Sequence, residues 1–238
     1  MRLDKLLANM GYGSRKDVKG LIKSKKVLVN DVIVKDSGLK VDPLKDIVHV
    51  NGDIVSYQKY IYIMLHKPKC VVSATTYRID KTVIDLLTEK ERIFHPFPVG
   101  RLDKDTEGLL LLTNDGDLAH QLTSPKKDVN KLYFAKIDGK VSEEDVNRFN
   151  EGVILEDGYK TKPAQLIILK AGDISEVEIT ITEGKYHQIK RMFQAVGKEV
   201  MYLKRLQMGE LQLDESLRLG EFRELFEDEI EYCKSLTR

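Results

Sequence analysis

Apolar residues recur at two periods along the chain, and each change of period marks an element. Leu3, Leu6, Leu7 and Met10 fall at helical spacing, and Gly11 and Gly13 stop that helix. Ser14, with Asp17 three residues on, caps a second helix that turns Val18, Leu21 and Ile22 inward and its basic residues outward. Val27-Leu28-Val29 and Val32-Ile33-Val34 flank the turn pair Asn30-Asp31 and predict a short hairpin. The polar link Ser56-Tyr57-Gln58-Lys59 precedes an apolar strand, Tyr60 to Leu65, ended by His66-Lys67-Pro68. Leu109 to Leu112, closed by Thr113 and the turn residues Asn114-Asp115-Gly116, predicts a strand with neither face in water. Farther on, Lys131 to Ile137, Gln165 to Leu169 and Val177 to Thr182 predict strands. Ser142 caps a helix holding Val146 and Phe149, and Gln188 to Val196 predicts a helix closed by Gly197.

Connections between these elements are short and varied, without the long crossovers of a regular strand-helix-strand repeat. An α+β fold follows, with a mixed, mostly antiparallel sheet and flanking helices. The polar link predicts two domains, residues 1–58 and 59–238. With 42% hydrophobic and 32% charged residues the chain has the composition of a globular protein, and it lacks any apolar run of the roughly 18 residues needed to span a bilayer. A cytoplasmic protein is expected. Cys70 and Cys233 are too few and too far apart for a disulfide framework, and the five histidines show no ligand spacing, so no metal is expected. No glycine loop matches a nucleotide or flavin fingerprint, and no cofactor is expected. The net charge of +1 hides an asymmetry. Residues 1–26 carry eight basic groups against two acidic, whereas residues 210–238 carry nine acidic against four basic. A basic N-terminal module points to a polyanion, because Lys and Arg gain affinity by displacing counterions from phosphates.

The first region resembles the S4 (αL-type) RNA-binding domain. The likeness lies in Arg2-Leu3-Asp4-Lys5-Leu6-Leu7, Ser14-Arg15 and Val27-Leu28-Val29-Asn30, and continues to about Gly52. Such a domain would present Arg15, Lys16 and Lys19, together with Arg2 and Lys5, to RNA. Gly100-Arg101-Leu102-Asp103, running into Thr106, Gly108 and the four leucines, resembles the signature of the pseudouridine synthases, in which the aspartate is catalytic. Lys131-Leu132-Tyr133 and Glu183-Gly184-Lys185-Tyr186-His187-Gln188-Ile189-Lys190-Arg191-Met192-Phe193 resemble two further motifs of that family. With His66-Lys67-Pro68 the resemblance runs from about Met1 to Phe226 and is to the RsuA branch. Tyr186-His187-Gln188 is nearer to the small-subunit enzymes of that branch than to their large-subunit sisters.

The resemblance implies isomerisation of a uridine in ribosomal RNA, small-subunit 16S rather than large-subunit 23S, with the N1–C1′ bond broken and a C5–C1′ bond formed. A noncatalytic RNA clamp is the alternative from another class, and the joint presence of Asp103, Tyr133 and Lys190 argues against it. Asp103 would act on the ribose, as nucleophile at C1′ or as base at C2′. Lys190 would pair with Asp103, Tyr133 would stack on the uracil, and Arg101 would fill the place of the flipped nucleotide or bind its phosphate. Lys131, Lys185, His187 and Arg191 would contact RNA. Asp105 reads as a loop residue. The expected partner is ribosomal RNA or an assembling ribosomal subunit, met by a monomer.

Overall fold

A computed structural model describes residues 1–124 and 127–236. The chain divides into two compact units, Met1–Ile61 with Leu87–His95, and Tyr62–Leu86 with Pro96–Arg238. A single boundary between residues 58 and 59 leaves the return segment, Leu87–His95, out of the first unit.

In the first unit, helices α1 (Leu3–Asn9) and α2 (Arg15–Lys23) precede strands β1 (Val27–Val29), β2 (Val32–Ile33), β3 (Val48–Val50) and β4 (Asp53–Ile54), and α3 (Glu89–Arg92) lies in the return segment. The start of α2 is closed reciprocally: Ser14 Oγ accepts from the Asp17 amide at 3.3 Å, and the Asp17 carboxylate accepts from the Ser14 amide at 2.9 Å. Leu3, Leu6, Leu7, Val18 and Ile22 pack with Val27, Val48 and Val50 into one small core, with Leu21 at its margin. The sheet runs β2-β1-β3-β4, every pair antiparallel. Asn30 and Asp31 both adopt positive φ, 50° and 65°, as a two-residue hairpin turn requires. The side chain of Ile93, from the return segment, occupies the space a Cβ at Gly11 would take.

The second unit is built on nine strands: β5 (Tyr62–Lys67), β6 (Phe97–Pro98), β7 (Glu107–Thr113), β8 (Lys131–Asp138), β9 (Gln165–Lys170), β10 (Ile174–Ile181), β11 (Glu199–Met208), β12 (Leu211–Gln212) and β13 (Phe222–Glu224). The main order is β13-β5-β7-β11-β8-β10-β9, with β12 on β11 and β6 on β7. The β7–β11 pair is parallel and the others are antiparallel, which makes the sheet mixed and mostly antiparallel. Helices α4 (Gly116–Thr123), α5 (Glu143–Glu151), α6 (Gln188–Ala195) and α7 (Glu227–Ser235) complete it. Every residue of β7 is buried, as its leucine run requires. Phe149 of α5 packs on Phe193 of α6 with ring centroids 4.8 Å apart.

Two of the strands beside the site differ from the pattern read along the chain. Strand β5 continues through His66 to Lys67, which pairs with Gly108 and is fully buried. Strand β11, the longest, was not expected, because its charged residues obscure any alternation. At the parallel junction Arg205 lies opposite Gly108, whose φ is +107°. A Cβ there would stand 2.6 Å from Arg205 N and nearer still to Arg205 O, so glycine lets the two backbones meet.

Candidate active site

The loop joining β6 to β7 carries Asp103, and its backbone is held from below. Lys67, fully buried, donates its ammonium to the carbonyl oxygens of Asp103 at 3.0 Å, Thr106 at 2.9 Å and Pro68 at 3.0 Å. Ser73 Oγ donates to Leu102 O at 2.8 Å and accepts from Leu102 N at 3.1 Å. The Cys70 amide bonds to Lys104 O at 2.8 Å, and the Thr106 amide to Asp103 O at 3.1 Å. The loop's carbonyls thus find donors inside the protein, and the Asp103 side chain is left to face the cavity. Burial draws the Lys67 ammonium down to about 8, against the pull of Asp105, Asp103 and Glu107.

Two side chains meet at this carboxylate. Lys190 Nζ stands 3.6 Å from Asp103 Oδ2, and His187 Nε2 3.6 Å from Asp103 Oδ1. Lys190 makes its short bonds to Asp105, at 2.6 and 2.7 Å. Lys190 thus stands beside Asp103, as the resemblance implies, and also binds Asp105 on the same loop, so one ammonium is shared between two carboxylates. Partial burial opposes ionisation of Asp105, but the hydrogen bond and charge of Lys190 outweigh it and hold the carboxyl below its usual range. His187, expected as an RNA contact, stands beside the aspartate with its ring stacked on Tyr186 at 3.9 Å.

The turn that delivers Lys190 is built on buried polar groups. Glu183, 6% exposed, accepts from the Tyr159 hydroxyl at 2.6 Å, the Lys162 amide at 2.9 Å and Gln188 Nε2 at 2.7 Å. Gln188 Oε1 accepts the Lys185 amide at 2.8 Å. His187 enters α6 with φ of 48°, so this network holds a non-glycine residue in the left-handed region. Helix α6 buries Gln188, Ile189, Met192 and Phe193 and leaves Lys190 beside Asp103.

Tyr133, buried in β8, forms a wall of the pocket with Leu102, Ile181 and Leu203. The pocket is narrow, about 70 Å³, and Arg101, Lys185 and His187 stand around it. These are exposed or half-exposed side chains, so the groups that must part for a base are free to rotate. Lys131 shares the face of Tyr133, two residues away, but lines a neighbouring cavity rather than this pocket. Burial and the nearby Arg205 charge draw its ammonium down to about 8.

Of the remaining expected RNA contacts, Lys5, Arg15, Lys16 and Lys19 are exposed on the first unit. Arg2 is committed to buried Asp4 at 2.8 and 3.0 Å, and Arg191 to Asp157 at 2.5 Å, so both hold structure as well as offering charge. Lys67, Glu183 and Gln188 lie in the motifs that carry the resemblance but had no role assigned to them, and Arg205 lies in none of those motifs. The signal for Lys67 was its place at the end of a continuous apolar strand. Among the described residues no cluster of three or more His, Cys, Asp or Glu side chains could hold a metal ion, and no helix is long and apolar enough to cross a membrane.

This arrangement, a clamped loop that turns Asp103 into the pocket and shares one ammonium between Asp103 and Asp105 beside a tyrosine wall, coincides with a clear kinship. Residues 61–195 match the RNA pseudouridylate synthase family and residues 1–48 the S4 domain. The chain belongs to the RNA pseudouridylate synthase family. It is 54% identical over 232 residues to an uncharacterized RNA pseudouridine synthase of Bacillus subtilis, covering 97% of each chain. It is also 40% identical to the ribosomal large subunit pseudouridine synthase B of Bacillus subtilis, over 99% of this chain and 96% of the relative. Its identity to the ribosomal small subunit pseudouridine synthase A of Vibrio cholerae is 39%, over 97% and 98%.

Proposed function

We propose that the protein converts one or more uridines of ribosomal RNA to pseudouridine, with small-subunit 16S RNA as substrate, and that Asp103 is the group acting on the ribose. The observation that carries the reading is the geometry at Asp103, a single carboxylate fixed by its loop carbonyls and faced by Lys190, His187 and Tyr133. Isomerisation balances without any other reactant. The N1–C1′ bond breaks, the uracil turns, C5 bonds to C1′, and the proton that C5 loses is matched by one gained at N1. Water must be kept from C1′, and Leu102, Ile181 and Leu203 supply apolar walls for this purpose. Lys190 orients the carboxylate, Tyr133 offers a face for the uracil, and Arg101 stands at the mouth where the nucleotide leaves its stack. The family's isomerase chemistry asks for no metal or cofactor, and none is included in this reading. The choice of 16S rests on Tyr186-His187-Gln188.

Incubation of the protein with unmodified 16S and 23S transcripts, followed by mapping of new pseudouridines, tests both parts. Product in 16S alone is expected. Asp103→Asn should abolish it while leaving fold and RNA affinity intact, and turnover by a well-folded Asp103→Asn protein would remove Asp103 from its role.

A further inference from the structure

Beside the catalytic pocket lies a larger cavity of different chemistry. It encloses about 320 Å³ and shares Arg101, Tyr133, Gly184 and Lys185 with the pocket over Asp103. Two of its walls are cations set within the sheet. Arg205, 3% exposed, donates Nε to Leu109 O at 2.8 Å and leaves Nη2 buried without a hydrogen-bond partner. Lys131, 9% exposed, donates to the carbonyl oxygens of Val129 at 2.7 Å and Thr182 at 3.3 Å, and no ion pair joins it to a carboxylate among the described residues. Glu183 also lines the cavity, but its carboxylate is taken up by three donors, and Lys162 of the same wall pairs with Asp128 at 2.5 Å. Burying two cations close enough to repel one another is costly unless an anion joins them. Burial, and after it the Arg205 charge, draws the Lys131 ammonium down.

We propose that this cavity is a phosphate subsite, which receives the phosphodiester adjoining the target uridine, with Lys131 and Arg205 as inner donors and Arg101 and Lys185 at the mouth. The proposal rests on the pseudouridine synthase reading for its substrate and on the buried unpaired cations for its chemistry. Because Tyr133 and Arg101 border both spaces, an occupant of this cavity lies next to a nucleotide held over Asp103. Two buried donors grip one phosphate in one orientation, and the binding energy so gained offsets the unstacking of the uridine.

The test uses the full chain and unmodified 16S transcript. In Lys131→Gln, kcat/KM should fall by about tenfold or more, the effect of one missing charge-assisted hydrogen bond. The salt dependence of binding should flatten by a slope of about 0.7, equivalent to one phosphate of single-stranded RNA. Lys131→Arg should restore both, which a merely structural lysine would not predict. Inorganic phosphate, set against chloride at equal ionic strength, should compete with RNA on the wild type and lose that effect in Lys131→Gln. Should Lys131→Gln fail to fold, exposed Lys185→Gln is expected to flatten the slope in the same way, and the phosphate competition on the wild type still reads the site. Phosphate binding with unchanged kcat/KM and slope in the variants would make this a site for free anion and overturn the RNA assignment. No phosphate competition and no change of slope would overturn the subsite itself. A wild type that binds phosphate here but forms no pseudouridine in any ribosomal RNA would leave the anion site standing and remove its proposed substrate.

Discussion

Gly108→Ala probes a place where the sheet's parallel pair and the Asp103 loop depend on a missing side chain. A methyl group at 108 would stand 2.6 Å from Arg205 N, closer to Arg205 O, on a backbone with φ of +107°. Backbone atoms cannot rotate aside as a side chain would, so β7 must move off β11 or change its path. Holding an alanine in this region of backbone space costs about 1–3 kcal/mol, and the crowding adds roughly 1–3 kcal/mol more. At about 2–4 °C per kcal/mol for a chain of this size, the melting temperature should fall by at least about 4 °C. Calorimetry of the wild type and variant reads this directly. Arg205 lies opposite Gly108 on one side and Tyr133 on the other. Pseudouridine formation by the folded fraction should therefore fall as well. A variant that melts within about 2 °C of the wild type and keeps full turnover would refute the argument.

Lys190→Met should slow single-turnover chemistry at saturating RNA by on the order of a hundredfold while changing affinity less, since it removes a charge shared by Asp103 and Asp105. Normal chemistry with weakened binding would move Lys190 to the RNA-binding surface. Changing exposed Arg15, Lys16 and Lys19 together to Gln should weaken RNA binding and flatten its salt slope by about 0.7 for each phosphate no longer neutralised. An unchanged slope would make that helix face a solvated surface only. For Lys67 the pH dependence has a definite sign. Its folded value of about 8 lies below the ordinary value of about 10.4, so between these the unfolded chain holds the extra proton and this group makes stability rise with pH. Urea unfolding at pH 7 and pH 9.5 should show the wild type gaining on Lys67→Met; a constant difference would contradict the burial.

Much of this architecture is written where local pattern and final environment agree. Leu109 to Leu112 are buried in an inner strand of the sheet, as their unbroken apolar run predicts, and Ser14 with Asp17 closes α2 by bonds confined to one turn. The same locality fails for β11, where Lys204 and Arg205 read as solvated charge although Arg205 is buried through its bond to Leu109 O. It fails again at Lys67, whose partners lie on a loop some 36 to 39 positions away. The convergence of Asp103, Tyr133 and Lys190 was legible only through motif resemblance, since no periodicity links three such distant segments. Whether Lys190 would favour Asp103 or Asp105 turns on about an ångström of loop placement, a scale on which sequence pattern is silent.

Because the first unit takes back Leu87–His95, no single cut of the chain separates the two units intact. During synthesis residues 1–61 emerge before their closing piece exists, and at about 5–20 residues per second that piece follows roughly 2–7 s later. Until then Gly11 lacks the Ile93 side chain that packs on it. Exchange of the N-terminal unit between relatives would accordingly require two stretches of sequence to be moved together, and a gene fragment ending at Ile61 would encode a module that waits for a segment it never receives.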